Sequence, residues 1–185
     1  MEVSSSLTSV ERMQEYTKLP QEPPMIQPND PRQGSWPVQG SIDIRGLSLR
    51  HRLDLPLVLK DISMSVPSGA KVGIAGRTGA GKSSLLSAIF RLVESESGSI
   101  VIDGKDIKNM GLTPLRGSAL SLLPQMPFIF EGSLRENLDP FKEFSDRQIW
   151  EVLDDVQLRQ KISQNEEGLY YKIQEGVTYF SVGEK

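Results

Sequence analysis

The chain of 185 residues has no cysteine and a single histidine. The first absence excludes disulfides and thiolate metal sites, and it fits a reducing compartment. The second excludes a metal centre built from several imidazoles, because His51 stands alone. Long hydrophobic runs are also missing. No apolar stretch approaches the roughly 20 residues that cross a bilayer as a helix, so no direct membrane span is expected in this chain. The N-terminus lacks the apolar h-region of a secretory signal. An excess of positive charge is absent as well: 21 Lys+Arg stand against 24 Asp+Glu, a net charge of −3, which argues against nucleic acid as a partner. What remains is ordinary for a soluble globular protein, 37% hydrophobic and 24% charged, at a length suited to one domain with tails. No internal repeat interrupts it.

The chain divides unevenly. Residues 1–19 are polar, with Thr8 and Glu11 at capping-box spacing before a short helix-compatible stretch. Residues 20–37 hold six of the twelve prolines and read as an extended linker, since proline suits neither a helix interior nor a central strand. Beyond it, Ile42, Ile44 and Leu47 open one strand-like stretch. Val58, Leu59, Ile62, Met64 and Val66 form another, ending in the turn Pro67-Ser68-Gly69. Gly98 to Gly104 reads as a strand closing on an Asp-Gly turn. Ala119 to Leu123 is a short apolar run. Ser133 is placed to cap a helix at 134–138, and Ser145 with Gln148 forms a capping box for a helix carrying Ile149, Trp150, Val152 and Leu153. Tyr170 and Tyr171 read as packing residues in a polar, glycine-punctuated end.

The most informative string is Gly76-Arg77-Thr78-Gly79-Ala80-Gly81-Lys82-Ser83, which fits the phosphate-loop pattern G-x-x-x-x-G-K-[ST]. The preceding Ala70-Lys71-Val72-Gly73-Ile74-Ala75 reads as a short buried strand. Leu85, Leu86, Ile89, Phe90 and Val93 follow at helical spacing. In such a loop the backbone N–H groups wrap a β-phosphate and the positive end of the helix faces it. Lys82 supplies a cation to the β- and γ-phosphates, and the Ser83 hydroxyl is placed for Mg²⁺.

Taken together, the motifs resemble the nucleotide-binding domain of an ABC transporter of subfamily C, the multidrug-resistance-associated and sulfonylurea-receptor type. The stretches that carry the resemblance are residues 49–59, Gly76 to Ser84, Leu123-Pro124-Gln125, residues 132–141 and Ser181-Val182-Gly183. The Gly-Arg-Thr-Gly loop, the Asn-Leu-Asp-Pro-Phe string and Ser-Val-Gly are similar to the second such domain rather than the first. Ser9-Val10-Glu11-Arg12 and Glu15-Tyr16 resemble the cytoplasmic tail of the last transmembrane helix. The resemblance implies an α/β fold: a P-loop NTPase core of ABC ATPase type, an antiparallel β-subdomain at 41–66, and a partial helical subdomain after Gln125, incomplete at the C-terminus. It implies three segments, a helix tail at 1–19, a Pro-rich linker at 20–40 and an incomplete nucleotide-binding domain at 41–185. The implied cofactors are ATP and Mg²⁺. The implied partners are a second nucleotide-binding domain in a head-to-tail dimer and the transmembrane domains of a transporter, with this portion at the cytoplasmic face of a membrane.

Roles follow position by position. Gly76, Thr78, Gly79, Ala80, Gly81, Lys82, Ser83 and Ser84 match the phosphate loop. Gln125 matches the glutamine that touches the Mg²⁺ site and faces the coupling helices; its amide both accepts and donates. Ser181 and the Gly183 backbone match the signature loop that contacts the γ-phosphate held by a partner domain. Two positions depart from the pattern. His51 stands where the family has an aromatic that stacks on adenine, and it reads either as a smaller stacking platform or as a surface histidine in a strand turn. Glu184 replaces a glutamine and brings negative charge toward that γ-phosphate unless the side chain turns away.

A P-loop ATPase also needs an apolar strand ending in Asp for Mg²⁺ and a Glu that positions water. Ile100-Val101-Ile102-Asp103 has that form but leads into a hairpin turn, and Val152-Leu153-Asp154-Asp155 lies in a helical pattern. Neither is followed by Glu, so both read as structural. The chain therefore reads as the ATP-binding part of a transporter that exports substrate, cut at the signature loop, marginally stable and prone to aggregate. The alternatives are a non-hydrolysing interaction or regulatory module, or an unrelated P-loop kinase or GTPase. The absence of Asn-Lys-x-Asp weighs against a GTPase, and the Gln125 and signature-loop context weighs against a kinase.

Overall fold

The computed structural model describes residues 2–19, 21–32, 34–124, 128–173, 180–181 and 183–184. It comprises two compact units, Met1–Ser121 and Leu122–Lys185.

The first unit is organised by β1 (Ile42–Leu49), which pairs antiparallel with β2 (Leu59–Val66) on one side and with β3 (Ser97–Ile102) on the other. β4 (Lys105–Asp106) extends the sheet to the order β2-β1-β3-β4. The Asp103-Gly104 turn between β3 and β4 has φ of 45° and 77°, the left-handed pair that a two-residue hairpin favours. The antiparallel subdomain thus extends beyond the expected 41–66. The spacing of apolar residues in β1 changes phase, from Ile42 and Ile44 to Leu47 and Leu49, because a bulge at Arg45-Gly46 inserts one residue into the ladder. At that bulge the backbones come close. A Cβ on Gly98 would sit 2.4 Å from the Gly46 carbonyl oxygen, so only glycine fits there. Leu47 and Leu49 are fully buried, and Ile44, Leu59, Ile100 and Ile102 pack with them against Leu85 and Ala88 of α2 (Lys82–Ile89).

Residues 70–75 correct the sequence reading. They form no strand, and Val72 and Ile74 are 52% and 45% exposed. An apolar run becomes a strand only where a neighbour takes up its N–H and C=O groups, and no described strand lies beside this one. The parallel core is accordingly not formed among the described residues. The mixed α/β character, the antiparallel sheet and the helix after the loop are as expected. Thr8 and Glu11 do not cap a helix, because α1 (Glu2–Thr17) runs straight through them. The run at 119–123 forms no strand, and Leu122 and Leu123 are exposed.

The described residues of the Pro-rich segment form neither helix nor strand, but several of them are tied down. Asp30 accepts from the Gly111 N–H at 2.7 Å, and Thr113 N–H donates to Met25 O at 2.8 Å. Trp36 is buried, with its indole N–H on Ile102 O at 3.0 Å. Asp103 completes the strap: its carboxylate accepts from the backbone N–H groups of Val38, Gln39, Gly40 and Ser41 and from the Ser41 hydroxyl. The Gly40 N–H foremost, then the Gln39 N–H and the hydroxyl and N–H of Ser41, hold the Asp103 carboxyl well below the usual carboxylate range.

The second unit holds three short α-helices and a two-stranded ladder among its described residues. β5 (Gly132–Ser133) pairs with β6 (Lys172–Ile173), and after α3 (Leu112–Pro114) of the first unit come α4 (Leu134–Leu138), α5 (Asp146–Asp155) and α6 (Arg159–Ser163). Ser133 with Glu136 and Ser145 with Gln148 form complete capping boxes on α4 and α5, as their spacing predicts. Leu134, Ile149, Leu153, Ile162, Leu169, Ile173 and Phe180 make the core, and Tyr171 packs partly buried against it. Tyr170 does not: it is 60% exposed and donates its hydroxyl to Asp146 at 2.8 Å. Arg135 bridges Asp139, which is buried, and Asp146.

The Asp103 strap yields a prediction. Asp103→Ala should speed hydrogen exchange at the amides of Gly40 and Ser41 by at least about tenfold, the factor that corresponds to about 1.4 kcal/mol of lost protection, while β1 amides change less. Unchanged exchange at Gly40 would contradict the strap.

Candidate nucleotide site

The phosphate loop is positioned by the sheet below it. Gly81, with φ of 91°, is the N-cap of α2, and a Cβ there would lie 3.1 Å from Leu59 Cδ2 and 3.3 Å from Val58 Cγ1. The loop therefore presses on the start of β2, and glycine provides both the left-handed turn and the clearance. Gly79, also left-handed at φ 82°, and the Ala80 N–H to Arg77 O bond at 3.1 Å close the turn ahead of it. Gly76 is exposed, and a Cβ there would only touch that of Ala80, at 3.4 Å. Thr78 is exposed in the same turn.

The first intrahelical bond of α2 runs from Leu85 N–H to Gly81 O at 3.0 Å. The N–H groups of Lys82, Ser83 and Ser84 thus have no carbonyl one turn back, which gives the helix start its affinity for an anion. The Lys82 ammonium folds over the loop and donates to Gly76 O and Arg77 O, both at 2.8 Å. Those carbonyls hold the cation where a phosphate would meet it. Ser83 is exposed at the second position of α2 and Ser84 is buried at the third.

His51 joins this constellation from the β1–β2 connection. Its Nε2 is hydrogen-bonded to Ser84 Oγ at 2.9 Å. Neither sequence reading of His51 anticipated this contact. Gln125 lies outside the described residues. Ser181 and Gly183 belong to the second unit, where Glu184 answers the concern about its charge. Ser181-Val182-Gly183-Glu184 has capping-box spacing, and the carboxylate reaches back to the Ser181 N–H at 2.8 Å. Lys161 of α6 donates to the same oxygen at 2.8 Å. The side chain therefore turns onto its own loop, and its charge is paired. The Ser-x-x-Glu spacing was a readable signal for the turn-back; nothing local pointed to Lys161, twenty-three residues earlier.

Of the strings weighed as Mg²⁺-binding substitutes, Asp103 is occupied by the strap, while Asp154, 3.7 Å from Arg159, and Asp155 are exposed at the end of α5. No group of three or more His, Cys, Asp or Glu suited to a metal occurs among the described residues.

A helix start with open N–H groups, one lysine folded over it and one exposed hydroxyl is an arrangement that can receive an anion. The sequence model described as ABC transporter matches residues 59–185. The chain belongs to the ABC transporter family. It is 45% identical over 99% of its length to ABC transporter C family member 13 of Oryza sativa subsp. indica. It is 44% identical over its full length to ABC transporter C family member 6 of Arabidopsis thaliana, and 42% identical to ATP-binding cassette sub-family C member 2 of Mus musculus. It spans about 12% of the length of these relatives. The chain thus corresponds to the ATP-binding portion of an ABC transporter, and the relatives named here are of the C family. No helix among its described residues is long and apolar enough to cross a membrane.

Glu184 offers a pH test. The Lys161 ammonium, then the Ser181 N–H, pull its carboxyl from the ordinary 4.5 down to about 2. A depressed folded value means that its contribution to loop order is complete above about 4.5 and is lost as pH falls through about 2. The Glu184 side-chain carboxyl resonance should titrate near the lower value, and Lys161→Ala should move it upward. A midpoint at the ordinary value in the unaltered chain would contradict the pairing.

Proposed function

We propose that this chain is the second nucleotide-binding domain, or part of it, of a subfamily C transporter, and that it binds Mg²⁺-ATP through Gly76 to Ser84. The observation that carries the reading is Lys82, whose ammonium lies over its own loop at the helix start. Bound phosphate would draw it from the two carbonyls. The exposed Ser83 hydroxyl suits Mg²⁺, with phosphate oxygens and water completing the shell. The ion neutralises charge on the β- and γ-phosphates. Gln125 is assigned to the same ion and to the coupling helices of the transmembrane domains.

In the intact parent, Ser181 and the Gly183 backbone would meet the γ-phosphate on a second nucleotide-binding domain packed head to tail. ATP binding and hydrolysis there would drive export of a substrate across a membrane, with this portion at its cytoplasmic face. The Lys161–Glu184 pair supports the assignment, since it leaves the signature loop without an uncompensated negative charge.

Titration of the chain with a fluorescent ATP analogue and Mg²⁺ tests the reading. Lys82→Ala should weaken binding by at least about tenfold, the loss typical of a hydrogen bond to a charged group. Equal affinity in the two proteins would remove the claim.

Turnover is a separate matter. Positioning and charge stabilisation supply nearly all of the rate in phosphoryl transfer; Asp103 is engaged in the strap, and Asp154 and Asp155 lie at the end of α5 in the second unit. The chain alone should release no phosphate above background. Steady release abolished by Lys82→Ala would show otherwise.

A further inference from the structure

We propose that residues 22–30 are a detachable part of the strap, whose docking on α3 and nucleotide binding at the phosphate loop favour one another, with α2 as the link between them. The proposal goes beyond the nucleotide-binding reading above and rests on it.

The last carbonyls of a helix need donors from outside it. At the end of α2, Arg116 supplies them: its Nε donates to Phe90 O at 2.9 Å and its Nη2 to Arg91 O at 2.7 Å. The rest of the guanidinium fork meets Glu22, with Nη2 on Oε1 at 3.0 Å and Nη1 on Oε2 at 3.3 Å. Glu22 thus steadies the residue that caps α2. A second arginine runs the other way. Arg91 is 5% exposed, and its Nη1 donates to Ile107 O at 2.8 Å and Met110 O at 2.7 Å. The next residue, Gly111, opens α3, and the strap supplies acceptors for that turn. Asp30 takes the Gly111 N–H, Pro24 O takes the Leu112 N–H at 3.2 Å, and Met25 O takes the Thr113 N–H. The end of α2 and the strap are therefore joined twice, through Arg116 and through Arg91 with the start of α3.

Residues 22–30 are the part of the strap that can let go. Met25 and Ile26 are 57% and 73% exposed, so docking there rests on polar contacts. Residues 36–41, by contrast, hold the buried Trp36 and the donors to Asp103. A segment with few buried apolar contacts opens at low cost. α2 carries that opening to the phosphates. It has eight residues, about two turns, and a helix so short is not stable by propensity alone. Its order depends on its two ends and on Leu85 and Ala88 packed beneath. An anion at the N-terminus and Arg116 at the C-terminus order the same two turns. Once one of them has fixed the helix, the other binds at a smaller cost in entropy. The coupling is reciprocal: nucleotide tightens the strap, and whatever lifts residues 22–30 loosens nucleotide by the same factor.

Hydrogen exchange of the full chain, with and without saturating Mg²⁺-ATP, tests the coupling. Exchange at the Gly111 and Thr113 amides should slow by at least about fivefold, the lower end of typical coupling. Gly40 and Ser41, held by Asp103 at the far end of the strap, should change less. The reciprocal arm uses two variants that lift the strap by different means. Glu22→Lys with Asp30→Ala removes the ion pair and the carboxylate. Gly111→Ala acts as a wedge, because a Cβ there would lie 2.5 Å from Met25 O and 2.8 Å from Ile26 Cα. Each should weaken binding of a fluorescent ATP analogue by at least about fivefold. Exchange in the unaltered chain decides the matter even where a variant fails to fold. Unchanged exchange at Gly111 and Thr113, or equal slowing at Gly40 and Ser41, would overturn the proposal. So would unaltered affinity in either variant. In each case sensitivity of binding to Lys82→Ala would leave the nucleotide reading intact. Binding indifferent to Lys82→Ala would overturn that reading, and the proposal with it.

Discussion

The close contact of Gly81 with Val58 and Leu59 is the constraint on which the site depends. It fixes the start of α2 on the point where β2 leaves the β1–β2 connection. Any side chain at 81 would meet Leu59 and Val58 and would have to take a left-handed backbone at cost. Through this contact the loop inherits the rigidity of the sheet: β1 is paired on both sides, and Leu47, Leu49 and Leu59 are packed beneath Leu85 and Ala88. His51 adds a second tie between the same connection and the same helix turn. Two short contacts thus hold three backbone donors and one ammonium in place.

Charge is handled consistently across the two units. Where a carboxylate lies near functional or buried backbone, it is given donors rather than left to solvent. Asp103 takes four backbone N–H groups of the strap. Asp139 takes Arg135 and the N–H groups of Glu143 and Phe144. Glu184 takes Lys161 and the Ser181 N–H. The last case bears on the proposed function, because a glutamate in a loop proposed to meet phosphate is tolerable only when its charge is held on its own side.

What the sequence made legible was local chemistry. The phosphate loop, the capping boxes at Ser133 and Ser145 and the Asp-Gly hairpin each depend on a few neighbouring residues, and all are present. What it hid was the identity of distant partners. Residues 70–75 have the composition of a strand, but composition does not supply the neighbour that would take their hydrogen bonds. Prolines marked 20–37 as non-helical, and its described residues form no helix, yet Asp30, Trp36 and Glu22 bind groups far along the chain, and no spacing rule reveals that. At the site, Lys82 and Ser83 were readable from the motif. The His51–Ser84 bond and the Lys161–Glu184 pair were not, because each joins residues brought together only by folding.

The central claim is that the N–H groups of Lys82, Ser83 and Ser84, with those of Gly79 and Gly81 ahead of them, form the phosphate cradle and that Lys82 leaves the Gly76 and Arg77 carbonyls when a phosphate arrives. Amide chemical shifts of the isotope-labelled chain, recorded with and without Mg²⁺-ATP, test it most directly. The account predicts the largest shifts at Gly79, Gly81, Lys82 and Ser83, together with a shift at the Arg77 carbonyl carbon as it loses the ammonium. Shifts confined to other parts of the chain, with these residues unmoved at saturating nucleotide, would contradict it.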